Sequence, residues 1–321
     1  GLTQRVAPVH GARMKKTIVV LVCVMLLSGA LAANGQELPE TTSGATVVFS
    51  DPTPSETPRL TTSLGVGYLS EASFGSSDGG VELYRTVLSA AYSIFRLRYE
   101  YTDFVWNDLE ALPLDAEGEV PWEGLHDISL SALLERGEWN RWSWWINAEA
   151  TSSFEREFPG AVGAGASGEL AFDVWKGWKL GLMLSTVVLS PLNQDLFGRL
   201  DADFALHVSP EHLDLALREL GLKGEEDEEA RIGFRVGLST KSRTYRLASD
   251  SPVFGSGYAG IRGLTAGAYM DYKATDNLTV SFGPEYSFLR SYSTYKDTGS
   301  LETSEDLGDA FGGFVGVSWR F

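Results

Sequence analysis

Apolar and polar residues alternate along most of the chain from Leu60 onward. In the stretch FRLRYEYT, which begins at Phe95, every odd-numbered position is apolar or aromatic and every even-numbered position is charged or polar. A repeat of two residues is typical of a β-strand that has one apolar and one polar face. The pattern recurs about twelve times, so the sequence predicts an all-β fold. The predicted strands are Thr61–Ser70, Leu83–Tyr92, Phe95–Val105, His126–Glu135, Trp142–Ser152, Ser167–Trp175, Trp178–Leu189, Phe197–Val208, Arg231–Thr240, Arg262–Lys273, Asn277–Phe288 and Asp309–Phe321.

The last of these stretches, DAFGGFVGVSWRF, carries the alternation to the end of the chain. Counting back from Phe321, the alternate residues Trp319, Val317 and Val315 are apolar. A strand that ends the chain on an aromatic residue resembles the terminal strand of Gram-negative outer-membrane β-barrels, including the porin-like and the functionally uncharacterised families. The resemblance implies a single antiparallel transmembrane β-barrel. It also implies a partner, the barrel-insertion machinery, which reads the strand ending at Phe321.

The lengths of the connections predict how the strands are arranged. In outer-membrane-type barrels the periplasmic turns are short and the outer loops are long. With a periplasmic N-terminus, the connections of this chain follow that rule. The predicted periplasmic turns are Ser93-Ile94, Gly137–Arg141, Lys176-Gly177 and Ala274–Asp276, and the predicted outer loops are Asn107–Gly124, Lys241–Gly260 and Leu289–Gly308. A count of about twelve strands returns both termini to the periplasm, and ten strands is the alternative.

One connection departs from the strand pattern and predicts a short periplasmic helix. Ser209 can cap a helix and Pro210 suits its first position, while leucines recur at helical spacing through Leu213, Leu217 and Leu220. An acidic run, Glu225–Glu229, follows. The predicted fold is therefore a barrel of about twelve strands with one amphipathic helix on its periplasmic side.

The N-terminal part of the chain predicts export. Met14-Lys15-Lys16 is followed by the apolar run TIVVLVCVMLL and then by Ala30-Leu31-Ala32, the pattern of a cleavable signal peptide. A retained membrane anchor is the alternative, although the run is shorter than the roughly 20 residues of a spanning helix. We predict an N-terminal extension plus signal peptide over residues 1–32, a flexible periplasmic lead-in over 33–59 and the barrel over 60–321. The predicted location is the outer membrane of a Gram-negative bacterium.

The charge of the chain restricts its partners. It carries 26 lysines and arginines against 43 aspartates and glutamates. A strongly negative surface repels the phosphates of nucleic acid, so no nucleic-acid partner is predicted. Outer-membrane lipids and lipopolysaccharide, bridged by divalent cations, are the predicted partners at the surface. The single cysteine, Cys23, lies within the predicted signal peptide, which leaves no thiolate for a disulfide or a metal site.

Charged side chains on the polar faces of the strands are predicted to line the lumen of the barrel. Bases and acids nearly balance there. Two interpretations remain open: a narrow water-filled pore that selects polar solutes, and an interior filled by ion pairs. A barrel of about eight strands is filled by side chains and one of about 16 to 18 leaves a channel, so twelve is intermediate. The predicted pore-lining residues are Arg85, Arg96, Arg98, Glu100, Glu135, Glu149, Glu169, Asp173, Arg199, Asp201, Asp203, Arg231, Arg235, Asp271, Glu285 and Arg320.

Candidate chemistry outside the lumen is sparse. His126, Asp127 and Ser129 supply the residue types of a Ser-His-acid site, but His126 and Asp127 are adjacent and point to opposite faces of a strand. The acidic loop from Asp108 to Glu123 could attract Ca²⁺ or Mg²⁺, but it lacks EF-hand spacing. We predict no catalytic residues, no metal site and no cofactor. Tryptophans near strand ends predict girdles at the membrane surfaces, and they are Trp106, Trp142, Trp144, Trp175, Trp178 and Trp319.

Together these features favour a small porin-like channel for polar solutes or ions, and not an enzyme. A structural or adhesive barrel with an ion-paired, non-conducting lumen is the first alternative. An outer-membrane lipid hydrolase is the second. A soluble β-sandwich would not account for the apolar strand faces, the export signal and the terminal aromatic residue together.

Overall fold

The computed structural model describes residues 59–75, 77–114, 118–190, 197–224, 229 and 231–321. The predicted signal peptide, the lead-in up to residue 58 and most of the acidic run after the helix lie outside them. The described chain forms thirteen strands, one α-helix (α1, Pro210–Glu219) and a single 3-10 turn at Leu109–Ala111. The strands are β1 (Thr61–Ser73), β2 (Gly80–Tyr92), β3 (Phe95–Asn107), β4 (Gly124–Trp139), β5 (Trp142–Phe154), β6 (Ala161–Trp175), β7 (Trp178–Ser190), β8 (Phe197–Val208), β9 (Ile232–Arg246), β10 (Tyr258–Thr275), β11 (Leu278–Tyr295), β12 (Leu301–Leu307) and β13 (Ala310–Arg320).

Twelve of the strands close into an antiparallel barrel. Each strand from β1 to β11 pairs with the next one along the chain, and β13 then pairs with both β11 and β1. The register at the closing seam runs from Thr61 opposite Arg320 to Leu69 opposite Gly312. β12 pairs with the last residues of β11 and, through a single bridge from Leu307, with Phe74 just after β1, so it prolongs the line of β13 beyond the closed ring. The predicted single antiparallel barrel of twelve strands with one short helix is confirmed.

The outer surface of the barrel is an apolar belt. Large apolar side chains that alternate along the strands are exposed, as the two-residue period predicts. No helix in the described part of the chain is long and apolar enough to cross a membrane. The exposed belt includes Val66, Leu97, Leu130, Ile146, Leu170, Leu182, Leu184, Phe204, Val236, Phe282, Val315 and Val317.

The two ends of the barrel differ. One end, called here the turn end, carries the first residue of β1, the last residue of β13 and the tight connections at 93–94, 140–141, 176–177 and 276–277. The other, called here the loop end, carries the connections at 108–123 and 247–257. Two predicted outer loops are shorter than expected, because β9 continues to Arg246, β10 begins at Tyr258 and β11 continues to Tyr295. In these extensions the outward residues are polar. The alternation of apolar and polar residues that predicts the strands therefore stops before the strands themselves end.

Bulges near the loop end change which residues face inward. In β1 the pairing with β2 shifts between Leu69 and Ala72, and after it Ala72 and Phe74 are buried inside. In β11 the extra residue is Leu289, whose φ of 48° lies in the left-handed region. Arg290 and Tyr292 therefore point inward, although Phe288 points outward. A bulge adds one unpaired residue and so reverses the alternation beyond it.

Helix α1 is attached to the turn end. Ser209 caps it, since its Oγ accepts a 3.4 Å hydrogen bond from the backbone N–H of His212. Glu211 lies 3.4 Å from the ammonium of Lys273 on β10, and Glu219 contacts Lys176 in the β6–β7 turn. Gly177 in that turn has a φ of 83°, and a Cβ there would overlap the ring of His212. Glycine at this position therefore permits both the turn and the close approach of the helix.

Candidate functional site

The lumen is the candidate functional site because most of the buried charged side chains of the strands are directed into it. All but two of the predicted lining residues lie on inward faces, as judged from strand pairing and burial. Their role in a pore stays a prediction. The inward residues are Arg85, Arg96, Arg98, Glu100, Glu149, Glu169, Asp173, Arg199, Asp201, Asp203, Arg235, Asp271, Glu285 and Arg320.

Two predicted lining residues do not face the lumen. Glu135 was placed inward by unbroken alternation, but a bulge at Leu134 brings it opposite Ile146, whose side chain is 44% exposed on the outer surface. Glu135 is itself exposed. Arg231 precedes β9 and is exposed at the turn end. The first error arises because a bulge is not visible in the two-residue pattern, and the second because the strand begins one residue later.

An ion-paired group spans the lumen near its middle. Arg199 on β8 forms ion pairs with Asp127 on β4 and with Glu149 on β5. The carboxylate of Asp127 also accepts a 2.7 Å hydrogen bond from Ser153, and that of Glu149 accepts a 3.2 Å bond from Ser185. Arg199 is 4% exposed and Asp127 1% exposed. Because β8 and β4 are not neighbours, these pairs hold opposite parts of the wall together.

A second group of ion pairs adjoins the first, since Glu100 on β3 is directly opposite Asp127 and Arg243 on β9 is directly opposite Arg199. Arg85 on β2 is 3.1 Å from the Glu285 carboxylate on β11, which also accepts a 2.7 Å hydrogen bond from the Tyr269 hydroxyl. Arg98 pairs with Glu100 along β3, and Nη1 of Arg243 lies 2.9 Å from the Asp201 carboxylate. Three arginines in this region are thus neutralised by three carboxylates.

A cavity of about 110 Å³ lies inside the barrel beside these pairs. Its walls come from β1, β2 and β3 on one side and from β9, β10 and β11 on the other. Arg85, Lys241, Arg243, Arg290 and, at its exposed edge, Arg262 contribute cations to it, and Glu100 and Glu285 contribute carboxylates. The cavity combines a charged floor with an aromatic roof formed by Phe104, Tyr245 and Tyr292.

Sequence reasoning missed several inward charges. Lys241 and Arg243 continue the inward alternation of Arg235 and Ser239 on β9, but they were assigned to a loop. Arg290 follows a bulge and could not be placed by alternation. Asp127 was considered only beside His126, although its inward face was already implied by the predicted strand.

The loop end of the barrel is closed by an apolar cap, which consists of residues 108–114, 118–123 and 247–257. Leu112, Leu114, Trp122 and Leu247 of the cap are buried against inward residues of the strands. Trp106 belongs to this cluster, because its Nε1–H donates a 3.0 Å hydrogen bond to the Trp122 carbonyl. Trp106 therefore does not take part in the predicted outer girdle. Aromatic pairs here have ring centroids 5–6 Å apart, for example 5.1 Å between Trp106 and Trp122.

Glu155, the residue after β5, connects the two segments of the cap. Its carboxylate accepts a 3.2 Å hydrogen bond from the backbone N–H of Glu123 and a 3.0 Å bond from that of Ala248. The side chain is 0% exposed. Its own N–H donates to the Arg246 carbonyl at 2.9 Å, where β5 touches β9 across the mouth. One carboxylate thus holds both cap segments over the lumen.

The turn end is also polar. Ser281 donates a 2.6 Å hydrogen bond to Asp271, and the indole N–H of Trp145 donates a 2.9 Å bond to Glu169. Glu211 lies on α1, outside the strands. Partial burial raises the pKa of its carboxyl, but hydrogen bonds at the helix N-terminus and the nearby Lys273 ammonium together lower this pKa by more than burial raises it. The pKa of Glu211 consequently lies below its ordinary value, so its contact with Lys273 persists at neutral and mildly acidic pH.

The candidate catalytic residues do not assemble into one site. His126 lies on the outer face, where its Nδ1 is 2.8 Å from the Tyr99 hydroxyl and its ring stacks on Phe154 at 5.0 Å. Asp127 and Ser129 face the lumen and are buried. Among the described residues, no three His, Cys, Asp or Glu side chains are grouped so that they could hold a metal ion.

The closed ring, the apolar exterior and the charged interior together define a transmembrane β-barrel of the outer-membrane type. No protein-family model and no curated protein sequence matches the chain. Among solved structures, the chain is similar to the NanC porin at 13% identity, with a TM-score of 0.41 over 81% of this chain and 100% of that one. It is similar to the KdgM porin at 10% identity, with a TM-score of 0.37 over 81% and 99%. It is similar to Pseudomonas aeruginosa OccK1 (OpdK) at 10% identity, with a TM-score of 0.29 over 82% of this chain and 98% of that one. At these scores the likenesses carry no argument, and the fold stands on the strand pairing of this chain.

Proposed function

We propose that this protein is a porin-like channel for small polar solutes or ions in the outer membrane of a Gram-negative bacterium. The observation that carries the proposal is the interior, where charged side chains line the inward strand faces from the turn end to the cavity beneath the cap. Charged walls around a narrow lumen select and guide polar solutes. The cap and the Arg199 ion pairs lie across this route, so passage requires that both rearrange.

The location is part of the same proposal. The exposed apolar belt suits lipid on every side of the barrel, and the loop end would face the cell exterior. Residues 1–32 would direct export, and outer-membrane lipids and lipopolysaccharide would surround the barrel. Localisation by fractionation, with the loop end probed by surface labelling of intact cells, tests this part.

Conductance in planar lipid bilayers tests the channel. Folded wild-type protein is expected to give discrete current steps. Arg199→Gln leaves the Asp127 and Glu149 carboxylates without their arginine, so the reversal potential in a salt gradient should move towards cation selectivity. Arg231→Gln removes the same charge from the exposed turn end and serves as the matched control, with no expected change. Folded wild-type protein that carries no current at any voltage would contradict the proposal.

A non-conducting structural or adhesive barrel is the second candidate. The ion pairs that join β8 to β4 and β5 favour it, as does the apolar cap over the mouth. It requires that neither wild type nor Arg199→Gln conducts, and that deletion of cap residues 118–123 leaves the barrel closed. A lipid hydrolase receives no support from His126, whose neighbours Asp127 and Ser129 face the other side of the strand.

A further inference from the structure

We infer that the cavity beneath the cap is a binding site for a small oxyanion, either carboxylate or phosphate, held by Lys241 and Arg290. The inference deepens the proposed function by naming the class of solute that enters the lumen. Binding can nevertheless be measured on folded protein whether or not the barrel conducts, so the two proposals can fail separately.

The first argument is the balance of charge around the cavity. Its two carboxylates are already engaged, Glu285 with Arg85 and Glu100 with Arg98. The third arginine, Arg243, is neutralised by Asp201. Lys241 and Arg290 are inward cations of the cavity that form no ion pair within the described part of the chain, and the exposed Arg262 at its edge forms none either. The lining of the cavity therefore contains more cations than carboxylates.

The second argument is that donor atoms of both side chains are buried without acceptors. Within the described residues, the Lys241 Nζ and the Arg290 Nη2 atoms donate to no acceptor, although both are shielded from solvent by protein. Arg290 is 5% exposed; its Nη1 makes a long 3.4 Å contact with the neutral Gly308 carbonyl, and its guanidinium lies beside the neutral Tyr292 hydroxyl. Burying a charged donor without a partner is costly, which favours occupation by an anion.

The third argument is geometric, since the two cations lie on either side of one glycine. Lys241 on β9 is directly opposite Gly263 on β10. A Cβ on Gly263 would lie 3.1 Å from Cγ of Arg290, so the arginine side chain runs over the glycine from β11. Neighbouring strands are about 4.8 Å apart, so Lys241 and Arg290 extend into the lumen from strands about 10 Å apart, with β10 between them. A carboxylate or phosphate between them can accept from both.

The remaining wall suits an oxyanion with a small body. The hydroxyl of Thr102 lines the cavity and can donate a hydrogen bond to oxygen, whereas the hydroxyls of Thr265 and Ser287 already donate to Ser287 and to the Leu264 carbonyl. Phe104, Tyr245 and Tyr292 form a roof that excludes water, and low local polarity strengthens charge-assisted hydrogen bonds. Anions would be drawn to this point and not to the more balanced ion-paired regions nearer the turn end.

Isothermal titration of detergent-folded protein with sodium succinate and with sodium phosphate tests the inference, and neutral succinamide is the control ligand. Saturable binding of one or both anions, and none of succinamide, is expected. The two titrations distinguish a carboxylate from a phosphate site. Lys241→Gln and Arg290→Gln should each weaken binding about tenfold or more, the effect of one charge-assisted hydrogen bond. Lys241→Arg should retain it, and Lys273→Gln at the turn end should not change it.

A second measurement uses wild type alone. Bound succinate or phosphate should slow the acetylation of Lys241 by acetic anhydride, measured by mass spectrometry, while acetylation of Lys273 is unchanged. This readout remains decisive if a glutamine variant fails to fold, which is checked by its heat-modifiable migration on gels. The inference is overturned if wild type binds neither anion, or if both folded glutamine variants bind as wild type does.

Discussion

Individual buried carboxylates decide much of the geometry inside this barrel. Asp127, Glu149 and Glu285 each lie inside the wall with an arginine partner, so the loss of a partner would leave a buried charge uncompensated. Glu155 differs because its two hydrogen bonds come from backbone N–H groups of the cap. Its charge therefore contributes to loop position, and not to the balance of charge in the lumen.

Glu155→Gln tests whether one side chain holds the cap. The amide can accept only through its oxygen, so one of the N–H groups of Glu123 and Ala248 loses its acceptor at a cost of about 1–3 kcal/mol. The cap should open more often, and a protease specific for glutamate should cleave within 108–123 at least about fivefold faster.

Glu157→Gln is the matched control for that variant. Glu157 is an exposed neighbour whose carboxylate accepts a 2.6 Å hydrogen bond from the Ser249 hydroxyl and from no backbone group of the cap. The cap of the Glu157→Gln variant should be cleaved at the same rate as the cap of wild type. Equal rates for Glu155→Gln and wild type would show that apolar packing alone holds the cap.

Among the strands, the bulges have a larger effect than their size suggests. Single extra residues in β1 and β11 turn Phe74, Arg290 and Tyr292 into the barrel, where Phe74 and Tyr292 join the cap cluster and Arg290 and Tyr292 line the cavity. In β4 a bulge at Leu134 has the opposite effect and puts Glu135 outside. The position of each bulge thus decides which charges reach the lumen.

Two deletions in β11 distinguish the bulge residue from its neighbours. Deleting Leu289 removes the extra residue and leaves Arg290 and Tyr292 inward, so the barrel and the cap should persist. Deleting Ser291 moves Tyr292 to an outward position and removes a ring from the cap cluster, so glutamate-specific cleavage of the cap should increase. Both variants are first checked for heat-modifiable migration. Equal protection of the cap in the two would contradict the assigned register.

The molecule as a whole depends on a seam between the first and last strands. β1 and β13 pair over nine positions, and the N–H of Phe321 donates a 2.9 Å hydrogen bond to the Leu60 carbonyl. Closure leaves no strand edge unpaired in lipid, where water could not satisfy it. The terminal aromatic ring stacks 5.7 Å from Trp319 on the outside of this seam. It is therefore accessible to an assembly partner before closure.

Phe321→Ser tests the predicted recognition of the terminal strand by the insertion machinery. The variant should reach the outer-membrane fraction as folded, heat-modifiable protein in an amount several-fold below wild type, because the aromatic end of the signal is lost. Phe321→Tyr retains the ring and should assemble normally. Refolding of purified Phe321→Ser in detergent should match wild type, which separates recognition from stability. Normal assembly of Phe321→Ser in cells would contradict the prediction.

The fold was predictable to a large extent because the signal for it is local. Each strand carries its own alternation, and the short turns at 93–94 and 176–177 agree with it. The lining residues were also largely predictable, since Arg85, Glu149 and Glu285 follow the same alternation. Lys241 and Arg243 were missed where outward residues such as Ser242 and Thr244 are polar, because a strand that extends beyond lipid needs no apolar face.

The sequence by itself determined that the chain forms a closed barrel of about twelve strands, with apolar residues outside and charges inside, since the two-residue period follows from strand geometry alone. Only the tertiary structure decided what those charges do. Arg199 meets Asp127 and Glu149 from far along the chain, the cap folds over the mouth through Glu155, and Lys241 and Arg290 come to flank Gly263. These contacts depend on barrel closure, strand register and bulges, which bring together residues that no local pattern connects.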